Sequence, residues 1–424
     1  GEKKRYFIPA IGDIIISNAL LFTWNRAIMQ SPFSKVTFET LKEHFVWSAW
    51  EWDMDYFPTN QFAHPYQGSL YYVGGVANGF NFYESLLFAA GGSTVYEMLL
   101  ETTPPSINDM VVTTVGGASL GEMFHRLYIE IDSPFMIVLS PIDALNGLLT
   151  RRRPERGLSR LYNFSVQGGA GWLNAVSYGE KTGKGQTWNW PSLHVESTVV
   201  YGDPFRAQST VPYDQFELTM GGGASNNWYE MKIVSDGYLF SFAPVNSETE
   251  QLSTGLTLSY DFFMSLNIDF FSDGLDWAVK YRRLLADNTA LEIKAHAGWL
   301  GLGASNYYLY TDRDTPLKSY RDYGTGTNAK LFFSLILPRG RLSFDVFSYT
   351  MFIVSHRVQG SRGWDFFNHV TASYTFPLGR NFFLGLSDTV TIQNSRYESA
   401  PRVDRYTNSF RIFAGWTFDG PEHY

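Results

Sequence analysis

The chain has 424 residues, of which 17% are aromatic and only 17% charged, with 38 Gly, no Cys and a formal net charge of -8. A pI near 5.5 denies it the basic face that contacts phosphates, so no nucleic acid is expected as a partner. The lack of Cys excludes a disulfide scaffold and thiolate metal sites, and a mean hydropathy of -0.16 beside so many aromatics suits a surface with lipid on one side and water on the other.

The start, Gly1-Glu2-Lys3-Lys4, shows no apolar signal-peptide core, as expected of a processed chain. Residues 7–150 then carry helical apolar spacing, and five helices are predicted, over 9–29, 37–49, 65–79, 82–101 and 107–131. The longest apolar candidates, 14–24 and 135–149, are short or interrupted, so a helical inner-membrane protein is not expected. Ser106 caps the fifth helix, with Asp109 at the N3 position of a capping box. Small residues are dense at Gly74-Gly75, Gly91-Gly92 and Gly116-Gly117, with Gly121 beyond; each Gly costs a helix up to ~1 kcal/mol against Ala, which close helix–helix packing can offset.

Near Arg151-Arg152-Arg153-Pro154 the period changes. We expect a helical domain over 1–150, a linker over 151–157, a β-barrel over 158–418 and a tail over 419–424. In the third segment apolar and polar residues alternate strictly, as where Trp277, Val279 and Tyr281 oppose Asp276, Lys280 and Arg282. Turns are predicted at Ser235-Asp236-Gly237, Asp287-Asn288, Pro338-Arg339-Gly340 and Pro377-Leu378-Gly379-Arg380, with longer outer loops near 179–187, 204–213, 305–322 and 396–406. Trp188, Trp190, Trp277, Trp299, Trp364 and Trp416 read as aromatic girdles at strand ends. Full charges such as Glu196, Glu217, Lys232, Glu292, Lys294 and Arg411 occupy the opposite faces, and a dry core would not tolerate them. At about 20–22 residues per strand and turn this gives a transmembrane antiparallel β-barrel of about 12 strands, preceded by an all-α segment. Ten or 14 strands remain open, because 228–244 reads either as one strand or as a hairpin.

The series Asn60-Gln61-Phe62-Ala63-His64-Pro65-Tyr66-Gln67-Gly68, Gly92-Ser93 with Tyr96-Glu97, Pro105-Ser106-Ile107-Asn108-Asp109, and Gly117 with Gly121-Glu122 resembles a family of Gram-negative outer-membrane proteins that carries a domain-of-unknown-function label. The likeness covers about 45–130. It implies the bacterial outer membrane and this architecture, and no mechanism.

The chemistry candidates lie in the helical segment. His64, Ser93, Glu97, Asp109, Glu122 and His125 could gather carboxylates, imidazoles and a hydroxyl into a hydrolytic site acting on lipid, of phospholipase or lipid A deacylase type. Glu122 and His125, one turn apart, could instead hold a divalent metal, and a hydrogen-bonded polar core is the third reading. The run from Trp50 to Phe57 suits an aromatic belt or a cation-binding turn, and Arg151, Arg152 and Arg153 suit lipid phosphate or a solvated linker. His194 with Glu196, and His296 with Glu292, read as lumen pairs. The helical segment is expected to act as a plug, a docking module for a periplasmic or outer-membrane protein, or a contact to outer-membrane lipids; a lipid hydrolase and a gated pore are the alternatives.

Overall fold

The computed structural model describes residues 4–131, 133–150, 160–179, 186–226, 228–309, 318–355, 362–379, 381–399 and 401–419. The chain divides into two units, Gly1–Leu158 and Ser159–Tyr424. The expected linker, with Arg151, Arg152 and Arg153, and the tail beyond 419 lie outside the described residues.

The first unit contains α1 (Phe7–Thr23), α2 (Phe38–His44), α3 (His64–Val76), α4 (Phe82–Leu99), α5 (Ile107–Glu130), α6 (Met136–Leu139) and α7 (Pro141–Thr150). Local chemistry sets the starts. Asn81 and Glu84 close a capping box on α4, and the Ser106 hydroxyl accepts the Asp109 N–H at the start of α5. The last two helices were not foreseen; they occupy the apolar stretch around 135–149, and α7 opens on Pro141, where a helix needs no N–H. Asn146 ties α7 to α1 by donating to Asp13 at 2.8 Å. A π turn, Trp24–Ile28, extends α1, and by length and composition alone Phe7–Ile28 is the one helix among the described residues apolar enough to cross a bilayer, although Asp13, Ser17 and Asn18 interrupt it.

The glycines have the expected cause at the α3–α5 crossing. A Cβ on Gly117 would lie 2.6 Å from the Gly68 backbone, and where α4 meets α3 one on Gly92 would enter the Tyr71 ring. Gly91 has no such neighbour.

The second unit is a closed antiparallel barrel. Its strands are β1 (Leu161–Gly179), β2 (Gln186–Tyr201), β3 (Phe216–Ser225), β4 (Trp228–Asn246), β5 (Glu250–Met264), β6 (Asp269–Ala286), β7 (Thr289–Leu309), β8 (Lys318–Leu337), β9 (Gly340–Ile353), β10 (Gly363–Pro377), β11 (Phe382–Tyr397) and β12 (Val403–Asp419). Each pairs with its sequence neighbours, and β1 closes on β12, with Trp172 opposite Phe410. Closure leaves no edge strand. The alternation maps onto the two faces: Trp277 is 45% exposed outside, while Asp276 and Lys280 are fully buried within. This is a twelve-stranded barrel of the outer-membrane type, with a helical unit before it in the chain.

Four local expectations change. Ser235-Asp236-Gly237 is no turn but lies inside β4, which runs unbroken from 228 to 246. Its turn-like composition has other causes: the Asp236 carboxylate accepts from Lys280 in the lumen, and the Tyr213 ring lies where a Gly237 Cβ would be. Trp188 and Trp190 pack on the buried Leu173, Ala175 and Leu266 rather than forming a girdle. Trp277 and Trp299 face outward near the middle of their strands, while Trp364 and Trp416 do lie near strand ends. Finally, the polar stretch 204–213 belongs to the end with short turns, since β4–β5, β6–β7 and β8–β9 are joined there by two or three residues.

Candidate functional site

The N-terminus of α5 collects the polar residues of α3 and α4. Ser106 gives its hydroxyl to Asn108 at 2.9 Å and its backbone N–H to the Glu97 carboxylate at 3.0 Å. Glu97 thus supplies the reciprocal half of the capping box that was expected of Asp109. The Asp109 carboxylate is left free to accept from Asn108 at 2.8 Å and to face His64, with Nε2 4.0 Å from Oδ2. Glu101 lies beside Glu97, close enough for each carboxyl to act on the other. Two buried carboxyl groups that close resist ionising together. The segment before α3 closes the cluster: Asp53 donates its N–H to Asn108, and Asp55 donates its own to Asp53. Its Trp50–Phe57 run is therefore no uniform aromatic belt, since Phe57 is buried and Glu51 pairs with the α5 start through backbone hydrogen bonds.

Burial decides the protonation of these acids. Burial, then Glu101 and Asp109, pushes Glu97 well above the usual carboxylate range. Burial also pushes Glu101 up to about 8 and Asp109 up to about 6. Burial opposes charging of His64, but Asp109, then Glu97, Asp53 and Asp55, outweigh it and raise its pKa. Near neutral pH the cluster therefore holds protons that it can give up, which is the capacity that acid–base chemistry needs.

The expected six-residue constellation does not assemble in one place. Asp109 and Glu122 share α5 but stand 13 residues apart, about 20 Å along the axis at 1.5 Å per residue. Glu122 accepts from Tyr72 at 2.6 Å and from Arg126 at 2.7 Å. His125 turns to Asp143 on α7, with Nδ1 2.9 Å from Oδ1, and Ser140 donates to the same carboxylate. Burial lowers the His125 pKa, but the Asp143 charge and hydrogen bond overcome it and raise it. Glu122 and His125 therefore do not converge on a metal. Among the described residues no group of three His, Asp or Glu side chains is disposed to bind one. Ser93 contacts the Met110 sulfur, and the hydroxyls of Ser106 and Ser140 donate to Asn108 and Asp143 rather than to an imidazole. Sequence reasoning names Glu97 and Asp109 beside His64 and misses Asp143, the partner of His125; the acidic run at 53–55 is its signal for the two further acids that act on His64.

The barrel lumen holds a second polar system. Lys232 pairs with Glu196, Arg411 with Glu230, Lys294 with Glu217, and Arg341 with Glu292. Lys280 bridges Glu217 and Asp236, and Lys330 meets Asp261 and Asp276. The proposed histidine pairs do not form. Glu196 and Glu292 are taken by these cations, and neither nitrogen of His194 or His296 has a hydrogen-bond partner among the described residues.

Residues 49–136 match the family described as Domain of unknown function (DUF3943). No curated protein is similar to the chain. Solved structures share only the broad barrel. The outer membrane protease OmpT from Escherichia coli is 10% identical, with a TM-score of 0.28, covering 60% of this chain and 97% of its own. An outer membrane channel from Pseudomonas putida F1 is 13% identical, with a TM-score of 0.30, covering 62% and 97%.

Proposed function

We propose that the chain is an outer-membrane protein whose barrel spans the bilayer and whose helical unit contacts lipid. The observation that carries the barrel assignment is the division of its faces. Trp277, Val279, Leu384 and Ile412 are exposed outside, while ion pairs fill the interior. Charges tolerate that interior and lipid tolerates that exterior. The helical unit supports the second part. On α1, Ile8 is 84% exposed and Leu20 65%, and Ile15, Trp24 and Ile28 are exposed with them. An open groove between α1 and α4, lined by Phe7, Ile11, Phe22 and Leu87, continues this surface. Apolar area on this scale is foreign to a water-facing domain. Lys4 and Arg5 before α1 and Arg26 near its end suit lipid headgroups. The hydrolytic alternative draws on the proton-holding carboxylates at α5, but among the described residues the hydrogen bond of His125 goes to Asp143 and His64 faces Asp109, with no hydroxyl bonded to either ring.

The Cys-free chain allows a clean test in lipid nanodiscs. An environment-sensitive fluorophore on Val279→Cys or Ile15→Cys should be quenched by doxyl-labelled lipid, and one on Thr371→Cys by aqueous iodide. Iodide quenching at position 279 removes the bilayer assignment; iodide quenching at position 15 alone removes only the lipid role of the helices.

A further inference from the structure

The lumen is filled unevenly, and the sequence explains why. On one side β5, β6, β9 and β10 turn Phe263, Phe270, Phe347, Tyr349 and Phe367 inward, and Phe270 and Phe367 stack at 4.5 Å. On the other side the inward positions of β2, β3, β11 and β12 carry small hydroxyl residues. A cavity of about 730 Å³ remains there, within the range of small-molecule sites. Phe205, in the 202–215 loop, lies on its wall.

The chemistry of that wall selects among ligands. Thr198 and Thr219 are hydrogen-bonded at 3.0 Å, Thr371 and Thr389 at 3.0 Å, and Thr391 meets His369 at 2.9 Å. A hydroxyl has one donor and two acceptor sites, so each pair keeps unused capacity. The four cationic side chains on the wall are already held by Glu196, Glu217, Glu230 and Glu292, so an anion would compete with carboxylates in place. A hydrocarbon would shut out the water that can use the remaining donor and acceptor sites of these hydroxyls and would put nothing polar in its place. Two further groups await a partner: Asp345 makes no hydrogen bond or ion pair among the described residues, and both nitrogens of the buried His194 are unpaired. The rings of Phe383 and Phe413, edge to face at 6.3 Å, add an apolar surface that suits the C–H face of a pyranose.

We propose that the barrel lumen is a binding chamber for a neutral polyhydroxylated ligand of the size of a small saccharide. Its hydroxyl groups complete the threonine pairs and reach Asp345 and His194, while the ion pairs stay intact. The chamber is built from the inner face of the barrel alone and does not depend on lipid contact by the helices.

The test uses the full chain in a detergent without a sugar headgroup, with maltose, trehalose and N-acetylglucosamine as probes in saturation-transfer NMR. At least one sugar should bind saturably. Thr389→Trp, which fills the chamber, should weaken it at least about tenfold, and Thr391→Val, which removes one hydroxyl at constant shape, should weaken it by a smaller factor. Leu386→Ala, on the outer face, should leave it unchanged. Heat-modifiable migration on a gel reports whether each barrel is folded; if Thr389→Trp does not fold, the Thr391→Val comparison decides. Absence of saturable binding by all three sugars overturns the proposal, as does binding that the folded chamber variants leave intact or that Leu386→Ala removes equally.

Discussion

At the scale of single residues, the carboxyl group of Glu101 is the most informative. Its folded pKa is raised to about 8, chiefly by burial, against an ordinary value of 4.5. Between those values the folded unit binds more protons than the unfolded chain, so stability falls as pH rises. The contribution is full below about 4.5 and is lost as pH passes 8. Glu97 and Asp109 shift in the same direction and add to the slope. Amide hydrogen exchange in the first turns of α5, corrected for intrinsic rate, should therefore show stronger protection at pH 5 than at pH 8. Glu101→Gln should flatten that difference. Equal protection in the parent protein at the two pH values would mean that these carboxyls are not buried as described.

At the scale of helices, the crossing of α3 and α5 depends on two glycines in backbone contact. Gly117→Ala forces a Cβ against Gly68 and should cost the helical unit about 1–3 kcal/mol or more, the usual penalty of overpacking. Gly91→Ala meets open space and should stabilise α4 by up to ~1 kcal/mol through helix propensity. Thermal unfolding of the two variants should move in opposite directions; stabilisation by both would show that propensity rather than the close crossing governs the sites, and destabilisation by both that Gly91 is packed as well. These glycines could be picked out by eye in the sequence. Which of them touch a neighbour could not, because Gly91 and Gly92 are adjacent in the chain yet point to different surroundings.

At the scale of the whole molecule, the barrel unit carries one connection out of keeping with its end. The 14-residue loop 202–215 stands where the turns after β4, β6 and β8 need two or three residues. It folds inward. Ser253 donates to the Pro204 carbonyl at 2.6 Å, Ala207 packs with Tyr238 and Ala278, and Ser209 bridges to Ser241. Phe205 lies 5.8 Å from the Lys294 ammonium and 5.9 Å from the Arg282 guanidinium, distances at which a ring attracts a cation. The loop acts as a strap across the lumen, so deletion of 204–212 should raise single-channel conductance in planar bilayers well above that of the parent. An unchanged conductance would show that the aromatic side of the lumen is what blocks the path.

The sequence by itself determined the barrel, because a period of two fixes which side chains point in and which point out without knowledge of strand partners. It also determined that the Ser106 hydroxyl accepts the Asp109 N–H, a contact within three residues. The tertiary structure alone decided the site. Asp109 and Glu122 share α5 yet lie about 20 Å apart along it and on different sides of it, so membership of one helix does not bring them into one site. His125 found its carboxylate on α7, His64 came to face Asp109 across α3 and α5, and Asp236 proved to be a lumen anion rather than a turn residue. Each of these contacts joins residues distant in sequence. Periodicity records the environment of a side chain, whereas the identity of its partner follows only from how the helices cross and how the barrel closes.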